Sequence, residues 1–395
     1  MPSANNQQRI ALLLGGAAVG VLAVGAAVAF SATSTYFARV VLTPPKRKPQ
    51  DLRIVGVDRD AGVITLAGGV ESRLPGNYGL WFDRDSGHAR LGEIVRSDAK
   101  GVMRRLIAVD HGEPLPGSPA RLDSWNYLSP DELGLPYENV QVAGELGALP
   151  AWSFPAANPD AGTWVVHLHG WSARRTESLR AVPTFHDAGF HNLIASYRND
   201  GEGPNSEDGR YALGEREWHD AEAAVRWVLD QGAQRVIVVG FSMGGQIALQ
   251  LSLRSELAPR IDALVLDSPV VDWVATLHFQ GELHRLPTPI RESVIALMSQ
   301  PWGRLLTGQR ESVDLRGLNV LEKADALTVP VLILHSDDDG FVPSGPSRQL
   351  AALRPDLVTL VSYDTARHVK LWNLDAQRWS ASILTWLAQH GLVER

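Results

Sequence analysis

The 395-residue sequence predicts an α/β fold: a three-layer sandwich with a mainly parallel sheet, preceded by an apolar N-terminal helix and a small β-rich module. Three observations carry this prediction. Short apolar runs alternate with helical spacing from Glu138 onward, β-rich runs alternate with turn residues between Asp51 and about Asp123, and an uncharged apolar run spans Ile10 to Phe30. An apolar content of 45% is enough to bury a large core.

The expected organisation is a tail over 1–9, a transmembrane helix over 10–36, a linker over 43–50, the β-rich module over 51–125 and an α/β domain over 138–395. The run IALLLGGAAVGVLAVGAAVAF is long enough to span a hydrocarbon core, and no charge follows it until Arg39. Ala27 and Ala29 resemble a signal-peptidase site, but the run exceeds the usual length of a cleaved signal. An uncleaved anchor is therefore expected.

Residues 1–50 hold five basic residues (Arg9, Arg39, Lys46, Arg47, Lys48) and no acid, and the remainder holds 32 basic against 44 acidic residues. The acidic body argues against a nucleic-acid partner. The basic flank is suited to anionic headgroups and, by the positive-inside rule, leans the body towards the cytoplasm. The TPPKRKPQ stretch reads as a semi-rigid spacer. With no cysteine, disulfides, thiolate nucleophiles and Cys-based zinc sites are excluded.

In the β-rich module the runs RIVGV, GVITLAG, YGLWF and RLGEIV carry no catalytic constellation, so a packing or interaction role is expected. Further on, ENVQVAG and LPAWSFP read as an antiparallel pair leading into TWVVHLHG. The strands HNLIASY, RVIVVGFS, IDALVLDSP, VPVLILHSD and LVTLVSY are almost wholly apolar, as strands buried on both faces must be. Helical spacing occupies 173–188, 213–232 and 243–255. Residues 271–327, with several prolines, read as a helical insertion at the sheet edge where sites of such folds lie.

The chemistry centres on Gly240-Phe-Ser242-Met-Gly244-Gly245, entered by an apolar strand and left by a helix. Such a turn lifts a serine above the sheet, while Gly240 and Gly244 lack the Cβ atoms that would collide there. A serine hydroxyl needs a base and a group to orient that base. In chain order the next strand end offers three adjacent carboxylates, Asp337, Asp338 and Asp339, among which the residue pattern alone does not choose. His368 stands after the last strand. His167-Leu-His169-Gly170-Trp171 ends the first parallel strand, where the N–H of Trp171, with that of Met243, would hold an oxyanion. A zinc site on the His-x-His pair lacks a nearby completion.

From Glu138 to the end the chain resembles the α/β-hydrolase superfamily of serine hydrolases. HGWS is similar to its oxyanion segment, GFSMGG to its nucleophile elbow, and HSDDDGFVP to its acid-bearing loop. The last match implies Asp339 as the acid, with Asp338 the alternative because Ser336 stands where the family commonly has Gly. The run SYRNDGEGPNSEDGRYALGEREWHD is similar to a segment of single-pass, membrane-anchored members. The resemblance implies a serine hydrolase of esterase or lipase type, acting without a cofactor or metal on a small-molecule or lipid-like acyl substrate. A peptidase, thioesterase or acyltransferase on the same triad, or a non-catalytic binding protein, is the alternative.

Overall fold

The computed structural model describes residues 27–45, 47–158, 160 and 162–393. Helix α1 covers 27–42 within that range. Ser34, Ala38 and Leu42 are buried against the body, whereas Val28, Tyr36 and Val40 face outward. Among the described residues no helix is long and apolar enough to cross a membrane; residues 10–26 of the apolar run, with Arg9 and Lys46 of the basic flank, lie outside them. Lys48, read from sequence as facing headgroups, instead pairs with Asp123 at 3.3 Å and lies over the Trp125 ring.

Six strands, β1 (Leu52–Asp58), β2 (Val63–Leu66), β3 (Tyr78–Phe82), β4 (Gly87–Asp98), β5 (Gly101–His111) and β6 (Pro119–Asp123), close into an antiparallel barrel in the order β1-β2-β5-β4-β3-β6. Closure leaves no free edge. Ile54, Ile64, Leu80 and Leu91 fill its apolar interior, and at one end the buried Arg104 guanidinium donates to the carbonyls of Ser72, Leu74, Gly76 and Gly92.

The larger unit comprises β7 (Glu138–Gly144), β8 (Gly147–Phe154), β9 (Thr163–Leu168), α2 (Val182–Asp187), β10 (His191–Ala195), α3 (Glu217–Asp230), β11 (Arg235–Phe241), α4 (Met243–Arg254) and β12 (Ala263–Asp267). It continues through α5 (Trp273–Leu283), α6 (Thr288–Ser299), α7 (Arg304–Thr307), β13 (Val331–Ser336), α8 (Gly345–Leu353), β14 (Val358–Tyr363), α9 (Leu371–Leu374) and α10 (Ala376–Gln389). The sheet order is β14-β13-β12-β11-β9-β10-β8-β7, parallel except where β8 pairs with β10 and β7.

Alternation within the central strands builds both outer layers. Val236 and Val238 point into the cluster shared with α3 and α4, whereas Ile237 and Val239 point into the one holding Phe185, Trp379 and Ile383. Each such fully buried side chain stabilises the fold by about 2 kcal/mol. The helical spacing over 173–188 resolves into a 3-10 turn over Arg175–Ala181 followed by α2, with Pro183 in the first turn of that helix, where its missing N–H is tolerated. The insertion forms α5, α6 and α7; Trp273, Leu297 and Met298 are buried, but Leu283, Trp302 and Leu305 are exposed.

Candidate functional site

Strand β11 delivers Ser242 to a tight turn before α4, with φ 52° and ψ −114°. This left-handed conformation is strained for a serine, and the surroundings impose it. Its N–H donates to the Asp267 carbonyl at 3.0 Å, and its own carbonyl accepts from Val270 and Gly245. A Cβ on Gly244 would overlap the Leu168 carbonyl, and one on Gly240 would collide with the Gly244 carbonyl. The helix can leave the turn this close to β9 and β11 only with glycine at both positions.

The loop after β14 brings His368 over the serine, with Nε2 2.9 Å from Ser242 Oγ. On the other side of the ring Nδ1 lies 2.7 Å from Asp339 Oδ2. A carboxylate only accepts, so Nδ1 carries the proton and the Nε2 lone pair faces the hydroxyl. Asp339 Oδ1 accepts from the amides of Phe341 and Val342 at 2.7 and 2.9 Å, and Oδ2 lies 3.2 Å from His335 Nε2. Burial alone would raise the Asp339 pKa, but His368 and His335 hold its carboxyl well below the usual carboxylate range.

The other two carboxylates point elsewhere. Asp337 is exposed and paired with Arg348. Asp338 Oδ1 accepts from Ser336 Oγ and the Arg367 amide. Ser336, the departure from the expected glycine, also receives the Ala366 amide at 2.8 Å, so its hydroxyl ties the acid loop to the histidine loop.

Gly170, the residue before Trp171, lies against the Cβ of Ser242. The Met243 N–H, at the first position of α4, has no intrahelical acceptor. The Trp171 indole donates to the Val41 carbonyl at 2.9 Å, its ring centroid is 6.1 Å from Phe341, and Phe341 is 5.1 Å from His368. His167 pairs with Asn192 and His169 with Asp200; among the described residues no group of His, Asp and Glu is placed to hold a metal. Ser242 itself is only 4% exposed.

Two buried charges at the site were not singled out from the sequence. Glu177 accepts the Gly170 amide at 2.8 Å, and Arg180 donates to the carbonyls of Glu177 and Val369. In RRTESLR nothing distinguishes them from the solvated charges of an exposed helix face.

A strand-turn-helix serine hydrogen-bonded to a histidine and through it to a carboxylate, at the carboxyl edge of a parallel sheet, defines a protein class. The alpha/beta hydrolase family model matches residues 165–381, and the chain belongs to that family. Residues 53–123, the barrel, match a domain of unknown function. The human protein ABHD12B is 29% identical over 199 residues, a match covering 48% of this chain and 49% of that protein. The chain thus spans about half the length of this relative. An uncharacterized protein of Mycobacterium tuberculosis is 27% identical over 271 residues, 66% of this chain and 80% of that protein. Among solved structures, an esterase of Pyrococcus furiosus superposes with a TM-score of 0.52 at 21% identity, over 66% of this chain and 94% of that one. A puromycin-hydrolyzing peptidase of Mycobacterium tuberculosis gives 0.53 at 18% identity, over 84% and 51%. These likenesses concern the fold.

Proposed function

We propose that the protein is a membrane-anchored serine hydrolase that cleaves a carboxylic ester or similar acyl bond through an acyl-enzyme intermediate. The observation that carries this reading is the unbroken pair of hydrogen bonds from Ser242 through His368 to Asp339. Ser242 Oγ attacks the substrate carbonyl carbon while its proton passes to His368 Nε2, and the Asp339 carboxylate stabilises the imidazolium. The N–H groups of Met243 and Trp171 hold the resulting oxyanion. Collapse expels the alcohol, which takes the proton from His368. Water, deprotonated by the same nitrogen, then releases the acid and restores the serine.

The surroundings favour an amphiphilic substrate. A groove of about 800 Å³ lies between α1, Trp171 and Leu306, lined by Val28, Ala32, Tyr36 and Val40. It does not enclose Ser242; the Trp171–Phe341–His368 ring series connects the two. Leu305, 91% exposed, adds apolar surface beside it. We place the anchor in the 10–30 run and the body on the cytoplasmic side, from the basic flank.

A panel of aryl esters, thioesters and peptide amides tests the bond. Ester turnover with a burst of alcohol supports the reading, and amide cleavage alone would replace it with a peptidase. Protease treatment of intact spheroplasts tests the orientation: protection of the body is expected, and digestion from outside would reverse it.

A further inference from the structure

The barrel matches a domain without an assigned role, yet it touches the segment that carries His368. Arg367 and Val369, on either side of this histidine, have φ of 61° and 49°. Left-handed backbone is strained for an arginine and more so for a β-branched valine, and it persists only where neighbours over-determine it. Part of that hold comes from the hydrolase unit itself, where Asp338 accepts from the Arg367 amide and guanidinium and Ser268 from the Val369 amide, and part comes from the barrel. Glu71, in the 3-10 turn between β2 and β3, accepts from Arg367 Nε at 3.2 Å with one oxygen and from Lys370 Nζ with the other. One carboxylate therefore holds the residue before His368 and the residue two after it.

A second tie lies alongside. The Asn77 amide donates to the Asn373 carbonyl at 2.9 Å, and Asn373 Nδ2 returns a bond of 2.9 Å to the Asn77 carbonyl. Gly76, at φ 105°, permits this approach, since a Cβ there would overlap the Asn373 carbonyl. Behind the turn the buried Arg104 side chain fixes the carbonyls of residues 72, 74 and 76 from inside the barrel. Burial alone would raise the Glu71 pKa, but Lys370 and Arg367 hold it below its usual value, so the carboxylate is charged near neutrality.

We propose that the barrel is a positioning module for the proposed hydrolase site, and that Glu71 is its working residue, clamping Arg367 and Lys370 so that the His368 ring stays aligned between Ser242 and Asp339. This rests on the reading of Ser242, His368 and Asp339 as a triad. Arg104 secures the Glu71 turn, and the turn secures the histidine loop. Glu71 touches no reacting atom.

The test compares full-length wild type with Glu71→Ala, Glu71→Asp and Arg367→Ala/Lys370→Ala, using a short-chain aryl ester with active sites counted by a fluorophosphonate. Hydrogen–deuterium exchange of the 364–374 segment is followed in parallel. Glu71→Ala should lower kcat per active site by roughly 10- to 100-fold with little change in KM, the scale expected for a misplaced reacting group. Exchange in 364–374 should quicken, Glu71→Asp should recover part of both effects, and adding Glu71→Ala to the double variant should change neither further. Wild-type kcat and exchange in Glu71→Ala would overturn the proposal, as would a lowered Tm with kcat per site unchanged. If wild type cleaves no ester and takes no fluorophosphonate, the hydrolase reading fails, and unchanged exchange in Glu71→Ala would then overturn the clamp on its own.

Discussion

Replacing Asp339 with asparagine changes one atom and should almost abolish turnover. Oδ1 is committed to the Phe341 and Val342 amides, so the asparagine oxygen stays there and its NH2 group takes the place of Oδ2. That donor then faces His368 Nδ1 at the 2.7 Å position and His335 Nε2 at the 3.2 Å position. The imidazole answers by moving its proton to Nε2, where it points at Ser242 Oγ and no lone pair remains to accept the serine proton. For an acid-to-amide change in a serine triad the loss is about four decades in kcat, or about 5 kcal/mol of transition-state stabilisation. The donor meeting His335 also destabilises the fold by about 1–3 kcal/mol, so the assay is burst kinetics on an aryl ester normalised to folded protein. Asp338→Asn should lose less than about tenfold, since an amide oxygen can still accept from Ser336 and Arg367. Asp339→Asn within tenfold of wild type, or Asp338→Asn as the more damaging change, would refute the assignment.

Three further outcomes are expected. Gly244→Ala should fail to reach a stable fold, because its methyl group overlaps the Leu168 carbonyl; soluble protein with a wild-type Tm would contradict the packing of α4 on β9. Burial lowers the His167 pKa from 6.5 to about 4, so the folded state resists a proton that the unfolded chain accepts. Its contribution is full above about pH 6.5 and is lost as pH falls towards 4, by about 3 kcal/mol; His167→Gln should flatten that part of a urea-midpoint profile, and an unchanged slope would contradict it. In the insertion, the exposed Leu283 lies with Phe279 beside Gly340, so Leu283→Asn should shift the preference between short and long acyl esters while leaving Tm within a few degrees. A lowered Tm with the same preference would make the insertion a packing element only.

Much of this site is legible in the sequence because its parts are local. A strand, a turn and a helix in succession place Ser242, whereas only the resemblance of HSDDDGFVP to the family's acid-bearing loop implies Asp339 over two identical neighbours that the residue pattern leaves equivalent. The dependence of the site on the barrel is not local. Glu71 and Arg367 are 296 residues apart, and a lone glutamate in a turn has the signature of any solvated charge until the fold sets two cations against it. The same holds for Lys48, whose place in a basic run points to a lipid surface although its ammonium is tied to Asp123. The helical spacing over 173–188 is wrong about continuity, since a 3-10 turn precedes α2, and wrong about its charged face, since Arg175, Glu177 and Arg180 are buried. Trp171 is recognisable as part of an oxyanion segment, but its indole contact with Val41 depends on where α1 docks.

The central claim is that Ser242 is a nucleophile activated by His368. Intact-mass spectrometry of wild type and Ser242→Ala after exposure to a fluorophosphonate tests it directly. Wild type should gain a single phosphonyl adduct, mapped to the peptide containing Ser242, and folded Ser242→Ala should gain none. An adduct of equal yield on Ser242→Ala, or an unmodified wild type that still cleaves esters, would contradict the account.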